Sequence, residues 1–132
     1  MYAWAGNQLA PGGFYRVRYT GKPADLPVGL KAKTGALELT FTDALDPKAL
    51  DAKNFEIKVW GLQRTKNYGS KHINEKPLTV TKATLSADGK TVRLDAPDLA
   101  PTWCMEIKYR VAGTDGRAAS GTVHNTVHAL GK

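Results

Sequence analysis

Apolar and polar residues alternate from Leu37 to Thr42, with Leu37, Leu39 and Phe41 on one side and Glu38, Thr40 and Thr42 on the other. A period of two marks a strand with one buried face. The same alternation returns from Phe55 to Trp60, where Phe55, Ile57 and Val59 oppose Glu56, Lys58 and Trp60. Between the two runs Asp46 precedes Pro47. An acceptor side chain followed by proline predicts a single helical turn. Trp103, Met105, Ile107, Tyr109 and Val111 share a third face, opposite Cys104, Glu106, Lys108 and Arg110. The second of these sets is charged, so the first is expected to be core.

The remaining segments are shorter. Phe14–Tyr19 alternates Tyr15, Val17 and Tyr19 with Phe14, Arg16 and Arg18, and the first set is expected to face a core. Thr20-Gly-Lys-Pro23 breaks that strand, because proline cannot donate to a ladder. Residues 25–33 read as an irregular edge segment, and Thr34-Gly35 as a turn. Leu78 and Val80, then Ala83 and Leu85, change parity once, which predicts a β-bulge near Thr81–Lys82. Asp88-Gly89 is a hairpin-turn signal leading to Val92 and Leu94, and Gly113-Thr-Asp-Gly116 is another. Residues 98–102 read as a connection across one end, and Ala118–Leu130 supplies the last strand. About seven strands with turns between them predict an all-β, antiparallel sandwich. Its core is expected to contain Leu39, Phe41, Phe55, Ile57, Val92, Leu94, Ile107 and Tyr109.

One stretch does not fit the pattern. Gly61–Pro77 is long for a loop in a compact domain and has no clear period. It carries Arg64, Lys66, Lys71 and Lys76 against one acid, Glu75, and sets Tyr68 beside Gly69. Arg64, Lys66, Tyr68, Lys71 and His72 are therefore the candidate binding residues, with Trp60 and Trp103 expected near the base. Cations around a ring suit a sugar acid, a polyanion or an acidic protein face. The plainer alternative is a loop folded onto its own sheet, with Tyr68 and Ile73 as plugs.

Composition sets the limits. The chain has 132 residues, a length suited to one domain, and 42% of them are hydrophobic. No apolar run is long enough to span a membrane. Met1–Gly6 lacks a basic and then apolar signal sequence, and Met1 is compatible with a piece cut from a longer chain. The formal charge is +7, but the 19 basic residues are spread along the chain without a run of five. No nucleic-acid partner is expected. The single Cys104 excludes an internal disulfide.

Several motifs together resemble a known family. They are Leu39-Thr-Phe-Thr-Asp-Ala-Leu-Asp-Pro47, Asn54-Phe-Glu-Ile57, Ala83-Thr-Leu-Ser-Ala-Asp-Gly-Lys-Thr-Val-Arg-Leu94, Leu99-Ala-Pro-Thr102 and Gly113-Thr-Asp-Gly116. Over roughly residues 34–118 the chain resembles the bacterial Ig-like domain of the surface-layer type. The flanks are Gly12-Gly-Phe-Tyr-Arg-Val-Arg-Tyr-Thr-Gly-Lys-Pro23, Thr65-Lys-Asn-Tyr-Gly-Ser-Lys-His72, Pro101-Thr-Trp-Cys-Met-Glu-Ile107 and His124-Asn-Thr-Val-His128. They resemble the C-terminal regions of large secreted bacterial proteins that join sugar-dehydrogenase-like propellers to c-type haem domains. The resemblance implies a lead-in strand and linker over 1–33 and an Ig-like sandwich over 34–130. It also implies a secreted, periplasmic or cell-surface setting within a longer chain, whose other domains are the module's partners.

Candidate chemistry is sparse. His124 and His128 sit among β-branched residues that favour a strand. On a strand they share a face but stand ~13 Å apart, too far for one metal ion. A metal- or haem-linked redox role would need Cys104 with His124, His128 or His72. Cys104 and Met105 are the residue types of a copper site, but adjacent strand residues point to opposite faces. No nucleophile motif and no phosphate loop occurs. Asp43, Asp46, Asp88 and Asp115 read as turn and cap residues, although acidic loops at a sandwich end also suit a weakly held Ca²⁺. The expectation is a non-catalytic accessory module without a cofactor. A carbohydrate- or polyanion-binding module is the first alternative, and the redox accessory domain the second.

Overall fold

The computed structural model describes residues 13–67 and 69–132. Tyr68 and the first twelve residues of the lead-in lie outside the described residues. The chain forms an Ig-like antiparallel β-sandwich of eight strands in two four-stranded sheets. The strands are β1 (Pro27–Lys33), β2 (Ala36–Phe41), β3 (Phe55–Gln63), β4 (Lys71–Leu78), β5 (Lys82–Leu85), β6 (Thr91–Asp95), β7 (Thr102–Ala112) and β8 (Ala118–Val127). Four successive hairpins alternate between the sheets, giving the orders β1-β2-β6-β5 and β4-β3-β7-β8.

The inner faces are those the alternation predicts. In the first sheet Leu37 lies opposite Leu94 and Leu39 opposite Val92. In the second, Phe55 faces Tyr109, Ile57 faces Ile107 and Val59 faces Met105. All eight expected core residues are buried. The Phe41 ring meets Tyr109 edge-on across the two sheets, with centroids 5.5 Å apart. The helical turn is also present, as a 3-10 turn over Pro47–Ala49 capped by the Asp46 side chain. A second turn over Ala52–Asn54 is capped by Asp51.

Four expectations change. Phe14–Tyr19 is not a strand of this sandwich; Tyr15, Val17 and Tyr19 are 88%, 96% and 90% exposed. The alternation is real, but among the described residues nothing pairs with it. Residues 27–33, expected within an irregular edge segment, do lie at an edge but form the strand β1, paired with β2 with one register shift between Pro27 and Gly29. The parity change near Thr81 is not a bulge. Leu78 ends β4 in one sheet and Lys82 begins β5 in the other, so each half keeps its own inward face. Trp103 is 61% exposed rather than core. The register between β7 and β8 shifts between Thr102 and Met105, and this irregularity takes Trp103 off the inward row.

At one end of the sandwich, Asp43 accepts hydrogen bonds from Thr42 Oγ1 (2.6 Å), Ala24 N (2.8 Å) and Asp25 N (3.1 Å). These donors, Thr42 foremost, hold its carboxyl at about 2, below the ordinary 3.8. A depressed acid stabilises the fold above its unfolded pKa, and that stability is lost as pH falls through the folded value. The urea midpoint is therefore expected to drop between about pH 4 and pH 2, and to drop less in Asp43→Asn. Equal slopes for the two proteins would show that Asp43 is not part of the acid response.

Candidate functional site

The stretch expected as a loop is mostly hairpin. β3 continues past Val59, its last core residue, and β4 returns beside it, with Gly61 opposite Ile73, Leu62 opposite His72 and Gln63 opposite Lys71. Two features hid this from the sequence. β4 is exposed at every residue but Leu78, so it has no apolar side to alternate. The register also shifts between Val59 and Gly61, where Asn74 takes a positive φ of 55°. Asparagine tolerates that left-handed conformation, and an extra residue in one strand breaks the period of two. Ile73 is 36% exposed with its side chain over Gly61 of β3, and Tyr68, the other expected plug, lies outside the described residues.

The hairpin sets the candidate residues around two tryptophans. His72 stacks on Trp60 with centroids 4.8 Å apart and planes inclined by 27°. The Arg64 guanidinium stands 5.8 Å from the centre of the Trp103 ring. Such a cation over an exposed indole contributes ~0.5–1 kcal/mol. Glu75 receives Lys58 Nζ at 2.9 Å and lies 3.6 Å from His72 Nδ1. Lys58 is the main reason the Glu75 carboxyl is held below its usual range. Farther along the outer face, Glu56 pairs with Arg110 at 2.8 Å and Glu106 with Lys108 at 3.5 Å. The middle of this face is thus charge-balanced. Arg64, Lys66 and Lys71 are exposed, and among the described residues no carboxylate lies within ion-pair distance of them. Tyr68, the remaining candidate, lies outside the described residues.

Across the ladder Trp60 lies opposite Cys104. Trp60, Trp103, Cys104, Met105, His124, Asn125 and Thr126 line one open depression of about 380 Å³. Trp60 Nε1 and Asn125 Oδ1 are shielded from solvent without a hydrogen-bond partner. Sequence reasoning pointed to Trp60 and Trp103 but missed Asn125, which carries no signal until β8 is set beside β7. Residues 118–127 are strand, as the β-branched neighbours predict. His124 Nε2 lies 3.8 Å from Glu106, and His128 follows the end of β8. Cys104 is half-buried. Among the described residues no group of three or more His, Cys, Asp or Glu is placed to hold a metal ion. Among the described residues, no helix is long and apolar enough to cross a membrane, which leaves β-barrels out of account.

The fold has relatives among solved structures. The S-layer protein SbsC superposes with a TM-score of 0.57 and 18% identity, over 77% of this chain and 13% of that one. A structure of SbsC domains 1–6 gives 0.54 and 19%, over 74% and 12%. The copper-resistance protein PcoC from Escherichia coli gives 0.52 and 18%, over 73% and 85%. At these identities the likeness is one of β-sandwich fold. This chain spans about an eighth of the S-layer protein it matches. No family model matches the chain, and no curated protein matches it.

Proposed function

We propose that this chain is a non-catalytic Ig-like accessory module of a secreted bacterial multidomain protein, packing against or spacing its other domains. The observation that carries this reading is the hairpin tip. Among the described residues Arg64, Lys66 and Lys71 stand without carboxylate partners, while the rest of the same sheet face is charge-balanced. A local cationic surface on a rigid β-scaffold suits the acidic face of a neighbouring domain. The likeness to a small part of a large S-layer protein supports the same reading, since there the fold is one portion of a long chain. Under this reading residues 1–24 lead in from a preceding domain.

The test is Arg64→Ala, Lys66→Ala and Lys71→Ala combined in the full-length parent. All three side chains are exposed, so the melting temperature is expected to fall by no more than the few degrees that the Arg64–Trp103 contact accounts for. Docking between this module and the remaining domains is expected to weaken and to lose much of its salt dependence. Lower thermal stability with unchanged docking would reject the surface.

A second reading is a carbohydrate- or polyanion-binding module. It rests on the depression between Trp60 and Trp103. Trp103 presents an exposed indole face to this depression, and such a face suits stacking on a sugar ring. A glycan screen that includes uronic-acid polymers would decide this, with Trp103→Ala expected to abolish any binding found.

A further inference from the structure

The sandwich has four edge strands, β1 and β5 in one sheet and β4 and β8 in the other. Exposed edges pair with other chains unless something blocks them. Three of these are blocked. β1 carries Pro27, Lys31 and Lys33 and an irregularity between Pro27 and Gly29. β4 carries Lys71, Lys76, Pro77 and the irregularity near Asn74. β5 has only four residues and begins with Lys82. β8 has neither proline nor a fully charged residue, and its one register shift lies at its very end, between Asn125 and Val127. Its ten residues, Ala-Ala-Ser-Gly-Thr-Val-His-Asn-Thr-Val, include no proline, no Asp, Glu, Lys or Arg, and no break in strand pairing from Ala118 to Asn125. Its inward row, Ala119, Gly121, Val123 and Asn125, is only half-buried. The core is therefore incompletely covered along this edge.

The chain also carries a segment with the sequence alternation of a strand and no partner among the described residues. Phe14, Tyr15, Val17 and Tyr19 are 88–110% exposed, and their alternation is that of a strand. Among the described residues, no hydrogen bond joins 14–19 to the body. The root of this arm is fixed. Ala24 N and Asp25 N bond to Asp43, and Leu26 N bonds to Thr42 Oγ1. The buried Asp25 carboxylate pairs with Arg117 at 2.6 Å. Arg117 immediately precedes β8, so the arm leaves the body beside the start of the open edge. Even so, it stands clear of its own β8.

We propose that two copies of this chain form a two-fold dimer in which the Phe14–Tyr19 arm of each adds as a fifth strand to the β8 edge of the other. Backbone groups unused on both strands then pair. Tyr15, Val17 and Tyr19 cover the half-buried row of Ala119, Gly121 and Val123. Arg16 and Arg18 take the outer side, where β7 sets Glu106, Lys108 and Arg110 behind β8, the two cations already paired with Glu106 and Glu56. Of the four edge strands β8 is the one with no Lys or Arg of its own to meet the arm's arginines. Size is adequate as well. Each arm brings three rings of roughly 150–250 Å² apiece, and a reciprocal exchange reaches the ~1,200 Å² of a stable interface.

Light scattering of the chain across a concentration series, with hydrogen exchange on the same samples, tests this. The expected result is a dimer whose amides in 14–19 and 118–127 are protected, both losing protection on dilution to monomer. Val17→Pro, placed in the exposed arm, is expected to halve the mass without changing the monomer's melting temperature. Thr122→Lys is expected to do the same, and Arg16→Glu with Arg18→Glu to restore the Thr122→Lys dimer. Three results would overturn the proposal: a monomer with an unprotected arm at every concentration, a dimer that survives Val17→Pro, or arm protection in a monomer that does not change on dilution. The last would mean that the arm closes on its own chain.

Discussion

Phe41→Ala is expected to lower the unfolding free energy by ~3–5 kcal/mol, and Ile107→Ala by ~2–5 kcal/mol. Phe41 is 1% exposed and Ile107 is fully buried. Each loss combines transfer energy with a cavity, because packed neighbours relax only partly. Phe41 carries an added term. Its ring belongs to one sheet and its edge-on partner Tyr109 to the other, so its removal takes away a contact that holds the two layers together. Domains of this size have only about 5–15 kcal/mol in total, so either change should move the urea midpoint far. Ile73→Ala on the exposed hairpin is the control, with an expected change within about 0.5 kcal/mol. Equal midpoints for Phe41→Ala, Ile107→Ala and Ile73→Ala would reject the register described above.

Gly121→Ala is expected to destabilise by ~1–3 kcal/mol through overpacking. Gly121 sits opposite Tyr109 in the ladder, and a methyl there would lie 2.7 Å from the Tyr109 hydroxyl oxygen and 3.0 Å from the ring. Tyr109 is buried and is held against Phe41, so it cannot swing away without disturbing the contact between the sheets. A double-mutant cycle isolates the cause. In a Tyr109→Phe background the hydroxyl is gone, and Gly121→Ala should cost measurably less. An unchanged cost would place the conflict at the ring carbons, 3.0–3.1 Å from the added methyl, instead of at the hydroxyl.

Strands with one buried face were legible in the sequence. Leu37-Leu39-Phe41, Phe55-Ile57-Val59 and Met105-Ile107-Tyr109-Val111 alternate because each lies at the middle of a sheet with core on one side only. Edges were less legible. β4 buries only Leu78, so its residues record solvent and give no period, and β1 packs only the small or partly covered Leu30 and Ala32 on the core. Phe14–Tyr19 misled for the converse reason: it has the pattern of a strand but no partner among the described residues. At the candidate site Arg64 and His72 were readable as chemistry. That they meet Trp103 and Trp60 was not, because those contacts depend on the β3–β4 register and on the irregularity at Trp103. Asn125 could not be singled out by type alone.

The pairing of the central strands also sets when the protein can fold. β2 joins β6, and β3 joins β7, each across a long intervening stretch of chain. On a ribosome the first sheet lacks a strand until β6 emerges and the second until β8, and Phe55, Ile57 and Val59 wait for Tyr109, Ile107 and Met105 of β7. The β1–β2 hairpin and the apolar side of β3 must therefore stay solvated for most of synthesis. Sandwiches dominated by such distant pairings fold in milliseconds to seconds. The nascent chain is exposed to misassociation over that interval, and truncations before residue 112 are expected to leave an unfolded, aggregation-prone product.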